Sequence, residues 1–168
     1  MQMTDVIISL RPQWCKLILS GKKTVELRKS RPKIEPPFRV YLYETKEGRG
    51  AVVGECICYK IEKYRAEFTS DSYYEDIRRI DVNEDSEEEE DVFITSNEFD
   101  NPDACYLCEK SKLTFEEVKQ YIFNGKSGIF EFYGWYLAKV TEYKKARKLS
   151  ALGLKRAPQS WGYVKGSE

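Results

Sequence analysis

Hydrophobic residues change their spacing several times along the chain, and each change marks an element. Val6, Ile7, Ile8 and Leu10 form a short apolar run that reads as a strand. Pro12 suits the first position of a helix. Trp14, Leu17 and Ile18 then fall on one helical face before Gly21 ends it. From Thr24 to Arg28 the period drops to two, so Val25 and Leu27 face inward while Thr24, Glu26 and Arg28 share the other side. Pro32, Pro36 and Pro37 mark a loop. A strand over 38–43 follows, with Phe38, Val40 and Leu42 on one side, and after the Gly48–Gly50 turn comes a long strand over 52–61. Tyr73, Ile77 and Ile80 are spaced for one face of a helix over 70–80. Thr114 and Glu117 form a capping box opening a helix whose apolar stripe is Phe115, Val118 and Ile122, closed by Asn124-Gly125. An aromatic-rich strand over 129–141 and a short one over 161–164 complete the pattern.

Roughly six strands and three helices, with strands at both ends, predict a small α+β domain. Adjacent strands without regular βα alternation favour a curled or closed sheet over a doubly wound one. The length of 168 residues predicts a single domain over 1–168. No internal repeat is visible.

Composition narrows the chemistry more than the architecture. Hydrophobic residues make up 41% and aromatics 14%, enough to build a core and exclude wholesale disorder. No apolar run approaches the ~18–20 residues of a membrane span, and the short apolar stretch carrying Asp5 is unlike a signal peptide. Five irregularly spaced cysteines fit a reducing cytoplasm better than a disulfide framework. There is no histidine, so Ser-His-Asp or Cys-His nucleophile activation and histidine-ligated metal sites are excluded. Catalysis, if any, must run on Lys, Glu, Asp, Tyr, Cys, Thr or water.

Lysine plus arginine equals aspartate plus glutamate, 28 each, but the two signs are segregated. Residues 1–50 hold eleven basic and five acidic side chains, 62–117 six and nineteen, and 118–168 ten and three. Two basic, aromatic-rich flanks thus enclose an acidic middle. Flanks brought together by folding would make an anion-binding face; the plainer alternative is a solvated surface of mixed charge. Glu87, Glu88, Glu89, Glu90 and Asp91 form the tip of the acidic segment, which reads as an exposed loop held out by self-repulsion.

Gly21-Lys22-Lys23-Thr24-Val25-Glu26-Leu27-Arg28 fits G-x-K-x-x-E-x-R at the exit of the helix that follows Ser9-Leu10-Arg11-Pro12. This resembles the ASCH family, a branch of the PUA-like superfamily of small β-barrels. Tyr41-Leu42-Tyr43-Glu44-Thr45 followed by Val52-Val53-Gly54-Glu55 is similar to the family's second and third strands. Arg156-Ala157-Pro158-Gln159-Ser160-Trp161-Gly162-Tyr163-Val164 resembles the closing segment of bacterial and prophage-type members. The resemblance covers about 1–61 and 129–165 and leaves 62–128 as a variable, acidic, partly helical insertion. It implies a PUA-like barrel of about six strands with flanking helices. It also implies a cytoplasmic domain that binds RNA, or a nucleotide or nucleoside, in a cleft between the first helix and the strand over 23–28.

In that site Lys23 and Arg28 would hold phosphate or carbonyl oxygens, Glu26 would read an amino group, and Trp161 or Tyr43 would stack on a base. On residue chemistry alone, Glu26 beside Arg28 reads equally as a structural ion pair, since opposite charges on one strand face are common. Trp14, Tyr41 and Tyr136 are further stacking candidates, most of them core by position. Some small ASCH proteins are amidohydrolases in which a lysine activates a threonine three residues on. Lys23 matches that lysine, but Glu26 occupies the threonine position and Thr24 lies only one residue along. A ribonuclease pairing Lys23 as acid with Glu26 as base is the other hydrolytic reading. No cofactor is implied. Cys105-x-x-Cys108 lacks partners at metal-site spacing and reads as two ordinary free thiols. A basic protein partner for the acidic insertion is a third, separate expectation.

Overall fold

In the computed structural model of the chain, residues 4–68, 75–80 and 102–165 are described. The first apolar run forms β1 (Asp5–Leu10), in which Val6, Ile7 and Ile8 are all fully buried, so both faces of the strand are covered. Pro12 opens α1 (Pro12–Leu19), whose buried residues are Cys15 and Ile18. Gly21, at φ +77°, takes the left-handed turn that ends it. The remaining strands are β2 (Val25–Arg28), β3 (Phe38–Glu44), β4 (Ala51–Phe68), β5 (Glu75–Ile80), β6 (Gly128–Arg147) and β7 (Trp161–Val164). Between β5 and β6 lie α2 (Pro102–Ser111) and α3 (Phe115–Phe123), and a short 3-10 turn covers Leu149–Leu152.

The chain divides into two compact units. One holds 4–24, 32–60 and 136–165; the other holds 25–31 and the described residues within 61–135. β4 and β6 each begin in one unit and end in the other.

In the first unit β1 is central. It runs parallel to β3, with Val6 opposite Val40 and Ile8 opposite Leu42, and antiparallel to β7, with Ile8 opposite Trp161. β3 pairs antiparallel with β4, with a register shift at Leu42/Tyr43. α1 packs against β3. On one sheet face Ile7, Tyr41, Tyr43, Val52 and Val164 form a buried cluster roofed by Tyr143, Leu149, Leu152, Leu154 and Ala157. Two bonds from Ser9 hold this roof: its hydroxyl donates to the Pro158 carbonyl at 2.6 Å, and its N–H donates to that of Ser160 at 2.9 Å. β4 and β6 approach closely at Gly54, where a Cβ would lie 2.5 Å from the Thr141 carbonyl and 2.9 Å from Leu19.

In the second unit the end of β4 pairs antiparallel with β5, Ala66 opposite Ile77, and β2 lies beside β6. Its core is aromatic. Tyr64 stacks on Phe132 at 5.3 Å, and Phe123 contacts Phe68 and Phe130 at 5.1 and 5.3 Å. α2 packs on β2, β5 and α3. The capping box of α3 is complete: Glu117 N–H donates to the Thr114 hydroxyl and Thr114 N–H to the Glu117 carboxylate, each at 3.1 Å. Asn124 closes the helix at φ 47°, ψ 44°.

The fold is mixed α+β, but two expectations need correction. Seven strands pair in the order β2-β6-β4-β3-β1-β7 with β5 on β4, and among the described residues that order is open rather than a closed barrel of about six. The helix expected over 70–80 is strand over Glu75–Ile80. Spacing of Ile77 and Ile80 fitted a helix, but β4 runs on to Phe68 and offers a paired edge that local spacing does not encode. α2 was not foreseen. The acidic tip Glu87–Asp91 lies outside the described residues.

Candidate functional site

Gly21 lets the chain turn back on α1. Its N–H donates to Ile18 O at 2.9 Å, and the Lys23 N–H donates to Leu17 O at 3.0 Å. This fold-back buries the Lys23 side chain, which is 2% exposed, and sets its ammonium 5.3 Å from the centroid of the Trp14 ring. Trp14 is only half-buried; Cys15 and Ile18 are the buried residues of the helix, so the tryptophan serves as a wall for the lysine. An ammonium placed over an indole face is held electrostatically by the ring. Lys23 and Trp14 both belong to the first unit.

Glu26 and Arg28 belong to the second. They project on the same side of β2 by strand alternation and form an ion pair at 3.0 Å, with side chains 10% and 11% exposed. Val25 and Leu27 are buried as well, so β2 is covered on both faces rather than open on its polar one. Tyr121 of α3 is close enough for both charges to act on its phenol. Burial pushes the Tyr121 pKa up and Glu26 adds to this, while Arg28 and a backbone hydrogen bond with Lys29 oppose it. The Lys29 ammonium lies 5.1 Å from the same ring. Neither Tyr121 nor Lys29 was expected at the site. Tyr121 sits on α3 beside the apolar stripe, where nothing in its spacing distinguishes it from packing.

The two aromatic candidates have different settings. Tyr43 is 4% exposed inside the apolar cluster over Ile7 and Val164. Trp161 is half-buried on β7, edge-on to Tyr163 at 5.4 Å and 89°, and Tyr163 itself is 44% exposed. Tyr136 is buried but carries Lys60 over its ring at 4.8 Å and the exposed Tyr59 at its edge, 6.2 Å away. Tyr41 donates a long hydrogen bond to Asp5 at 3.4 Å.

A second polar constellation on the first unit was not foreseen. Arg39 forms an ion pair with Glu55 at 2.9 Å, donates to Tyr41 at 3.3 Å and lies 3.9 Å from Asp5. Its guanidinium is held further toward the charged form, chiefly by the hydrogen bond to Tyr41. Tyr143 donates to Glu55 at 3.0 Å, and burial, then that bond, raises its pKa. Its parts come from β1, β3, β4 and β6, so no local motif announces it. Near α1, Glu44 is gripped by Arg49 through bonds of 2.9–3.0 Å. Burial and the neighbouring Glu44 push the Cys15 thiol up to about 12, which makes it inert.

Cys105 and Cys108 lie on α2, the first exposed and the second half-buried. Among the described residues no three His, Cys, Asp or Glu side chains are grouped to hold a metal ion. No helix there is long and apolar enough to cross a membrane.

The model of the ASCH domain family matches residues 8–152. The chain belongs to the ASCH family. Solved structures of an ASCH protein from Zymomonas mobilis are similar in fold. One is 19% identical, with 96% of this chain and 87% of that chain covered at a TM-score of 0.61. A serine-to-alanine variant of the same bacterial protein gives 18% identity, 98% and 90% coverage and a TM-score of 0.60. At that identity the likeness speaks to architecture. No curated protein matches this ASCH chain.

Proposed function

We propose that this ASCH domain is a cytoplasmic binder of RNA, or of a nucleotide or nucleoside derived from it, through the segment from Lys23 to Arg28. The observation that supports this reading is the burial of two ionisable side chains, Lys23 and Glu26, with the largely covered Arg28 paired to Glu26, within six residues of the family's G-x-K-x-x-E-x-R signature. Buried charges are costly to a fold unless paired or used. Arg28 is suited to the two oxygens of a phosphate, Glu26 to an exocyclic amino group, and the Lys23 ammonium to a phosphate or carbonyl oxygen. Trp161, with its partly exposed neighbour Tyr163, supplies an aromatic edge on which a base can stack, whereas Tyr43 is enclosed by the cluster and supports the sheet.

The alternative is hydrolysis of RNA or of a modified nucleoside by the same residues. Glu26 at the position of an activated threonine disfavours the amidohydrolase form of it, and the ion pair to Arg28 keeps that carboxylate engaged. The test is incubation of an end-labelled mixed RNA panel with wild type and Lys23→Ala, divided between native and denaturing gels. A shift of intact RNA that Lys23→Ala weakens is the expected result. Fragments that require Lys23 would replace the binding reading with the hydrolytic one. Neither shift nor fragments would remove RNA as the direct ligand.

A further inference from the structure

From Tyr143 to Lys165 the sequence holds seven lysines and arginines and no aspartate or glutamate. Lys144, Lys145, Arg147, Lys148, Lys155, Arg156 and Lys165 are all exposed, and none of the seven forms an ion pair with a described residue. Arg39 and Arg49 of the same unit are by contrast engaged by Glu55 and Glu44. The segment carrying these cations is firmly placed. Leu149, Leu152, Leu154 and Ala157 turn inward onto the cluster around Tyr41 and Tyr43, Ser9 bonds it at Pro158 and Ser160, and β7 pairs with β1. Its apolar side is thus consumed by packing, and its outward side is left basic. Arg147 lies over the Tyr143 ring at 4.1 Å, which pre-orders its guanidinium. At the far end stands Tyr163, exposed and edge-on to Trp161.

We propose that this strap is a phosphate-backbone track: a sequence-independent surface, apart from Lys23–Arg28, along which a single-stranded RNA lies. The proposal rests on the reading that the domain binds RNA and deepens it by assigning the nonspecific part of that binding. Unneutralised cations placed along an ordered segment attract a polyanion by releasing its counterions, and an aromatic edge beside them suits a base. An anionic membrane surface fits less well. The strap's three leucines pack onto the core, so no aliphatic side chain of the strap is turned outward to enter a bilayer.

The test is fluorescence anisotropy with a labelled mixed-sequence single-stranded RNA of about 16 nucleotides, titrated at several salt concentrations between about 50 and 200 mM. One variant changes Lys144, Lys145, Arg147 and Lys148 to Gln, a second changes Lys155 and Arg156 to Gln, and a third keeps charge with Lys144→Arg and Lys145→Arg. Removing one phosphate-binding cation should reduce the slope of log affinity against log salt by ~0.7. We expect shallower slopes and weaker binding for both neutralised variants, with wild-type behaviour for the arginine variant. Lys23→Ala should weaken binding while leaving the slope within ~0.7 of wild type. If wild type binds RNA and the neutralised variants keep its slope, the track is overturned and the RNA reading stands. If wild type binds no RNA, both fall. Strap-dependent binding to phosphatidylserine vesicles that RNA fails to displace would also overturn it.

Discussion

The strap of the first unit and the strands of the second treat charge in opposite ways. In the second, strand cations are matched: Glu131 takes Lys63 at 3.1 Å and Arg65 at 3.3 Å, and Arg79 pairs with Glu62 at 3.5 Å. In the first, the strap from 144 to 165 presents exposed cations with no ion-pair partner among the described residues. Pairing within a sheet contributes to register and to holding a unit together, each surface pair modestly. Cations left unmatched contribute little to the fold, and their charge stays available to an outside anion. The basic total of the chain is therefore a poor guide to binding. Which cations are already neutralised decides it.

The sharpest way to break this contrast is to damage one core and ask which unit responds. Phe132 is fully buried and stacked on Tyr64, and Phe132→Ala should cost about 3–5 kcal/mol. Hydrogen exchange of α3 amides should accelerate far more than that of α1 amides. Equal acceleration would mean that the two units unfold as one, and the comparison would lose its thermodynamic meaning.

Gly54→Ala tests the first unit by steric crowding. A methyl group there meets the backbone carbonyl of Thr141 rather than a side-chain end that can swing aside, so a loss of about 1–3 kcal/mol is expected from the urea midpoint. Gly21→Ala is the control, since a Cβ at Gly21 meets nothing and only the φ of +77° opposes it. A cost at Gly54 no larger than at Gly21 would show that β4 and β6 have room to part.

The smallest effect concerns the paired charges of the second unit. Glu131 is held below the ordinary glutamate range by the Lys63 hydrogen bond first and by Arg65 next, against a burial effect of opposite sign. A carboxylate whose folded pKa is depressed stabilises the fold above its unfolded pKa, and that contribution disappears as pH falls through the folded value. Glu131→Gln should therefore lower the melting temperature slightly at neutral pH and not at all at strongly acidic pH. A gap that persists in acid would mean that shape, not charge, matters at this position.

Legibility in the sequence followed the strength of local signals rather than the two units. β1, α1 and β7 were readable because local signals and tertiary demand agree: Pro12 opens, Gly21 closes, and 161–164 emerges as Trp161–Val164. The capping box of α3 was readable for the same reason. β5 was not, since Ile77 and Ile80, three residues apart, share a helical face but fall on opposite faces of a strand, and only the partner strand reveals the extended form. Nor was the end of β6, where Glu142-Tyr143-Lys144-Lys145 carries one apolar residue and looks like a loop. Of the candidate residues, the signature nominated Lys23, Glu26 and Arg28 but not Tyr121, which a helix distant in the sequence brings within reach of Arg28. Tyr43 looked like a stacking residue because its spacing does not reveal that 149–157 covers it.

β1 has a consequence in time. It lies between β3, parallel on one side, and β7, antiparallel on the other. β3 is synthesised soon after it, but β7 begins only at Trp161. At ~5–20 residues per second, a ribosome needs on the order of ten seconds to cover that interval. Throughout it, Asp5–Ile8 shows one edge of unpaired backbone groups while Ile7 lacks its Val164 neighbour and its leucine roof. An exposed apolar edge is a template for pairing with another nascent chain. The same strap that gathers the unmatched cations thus closes the exposed edge of β1 when it arrives.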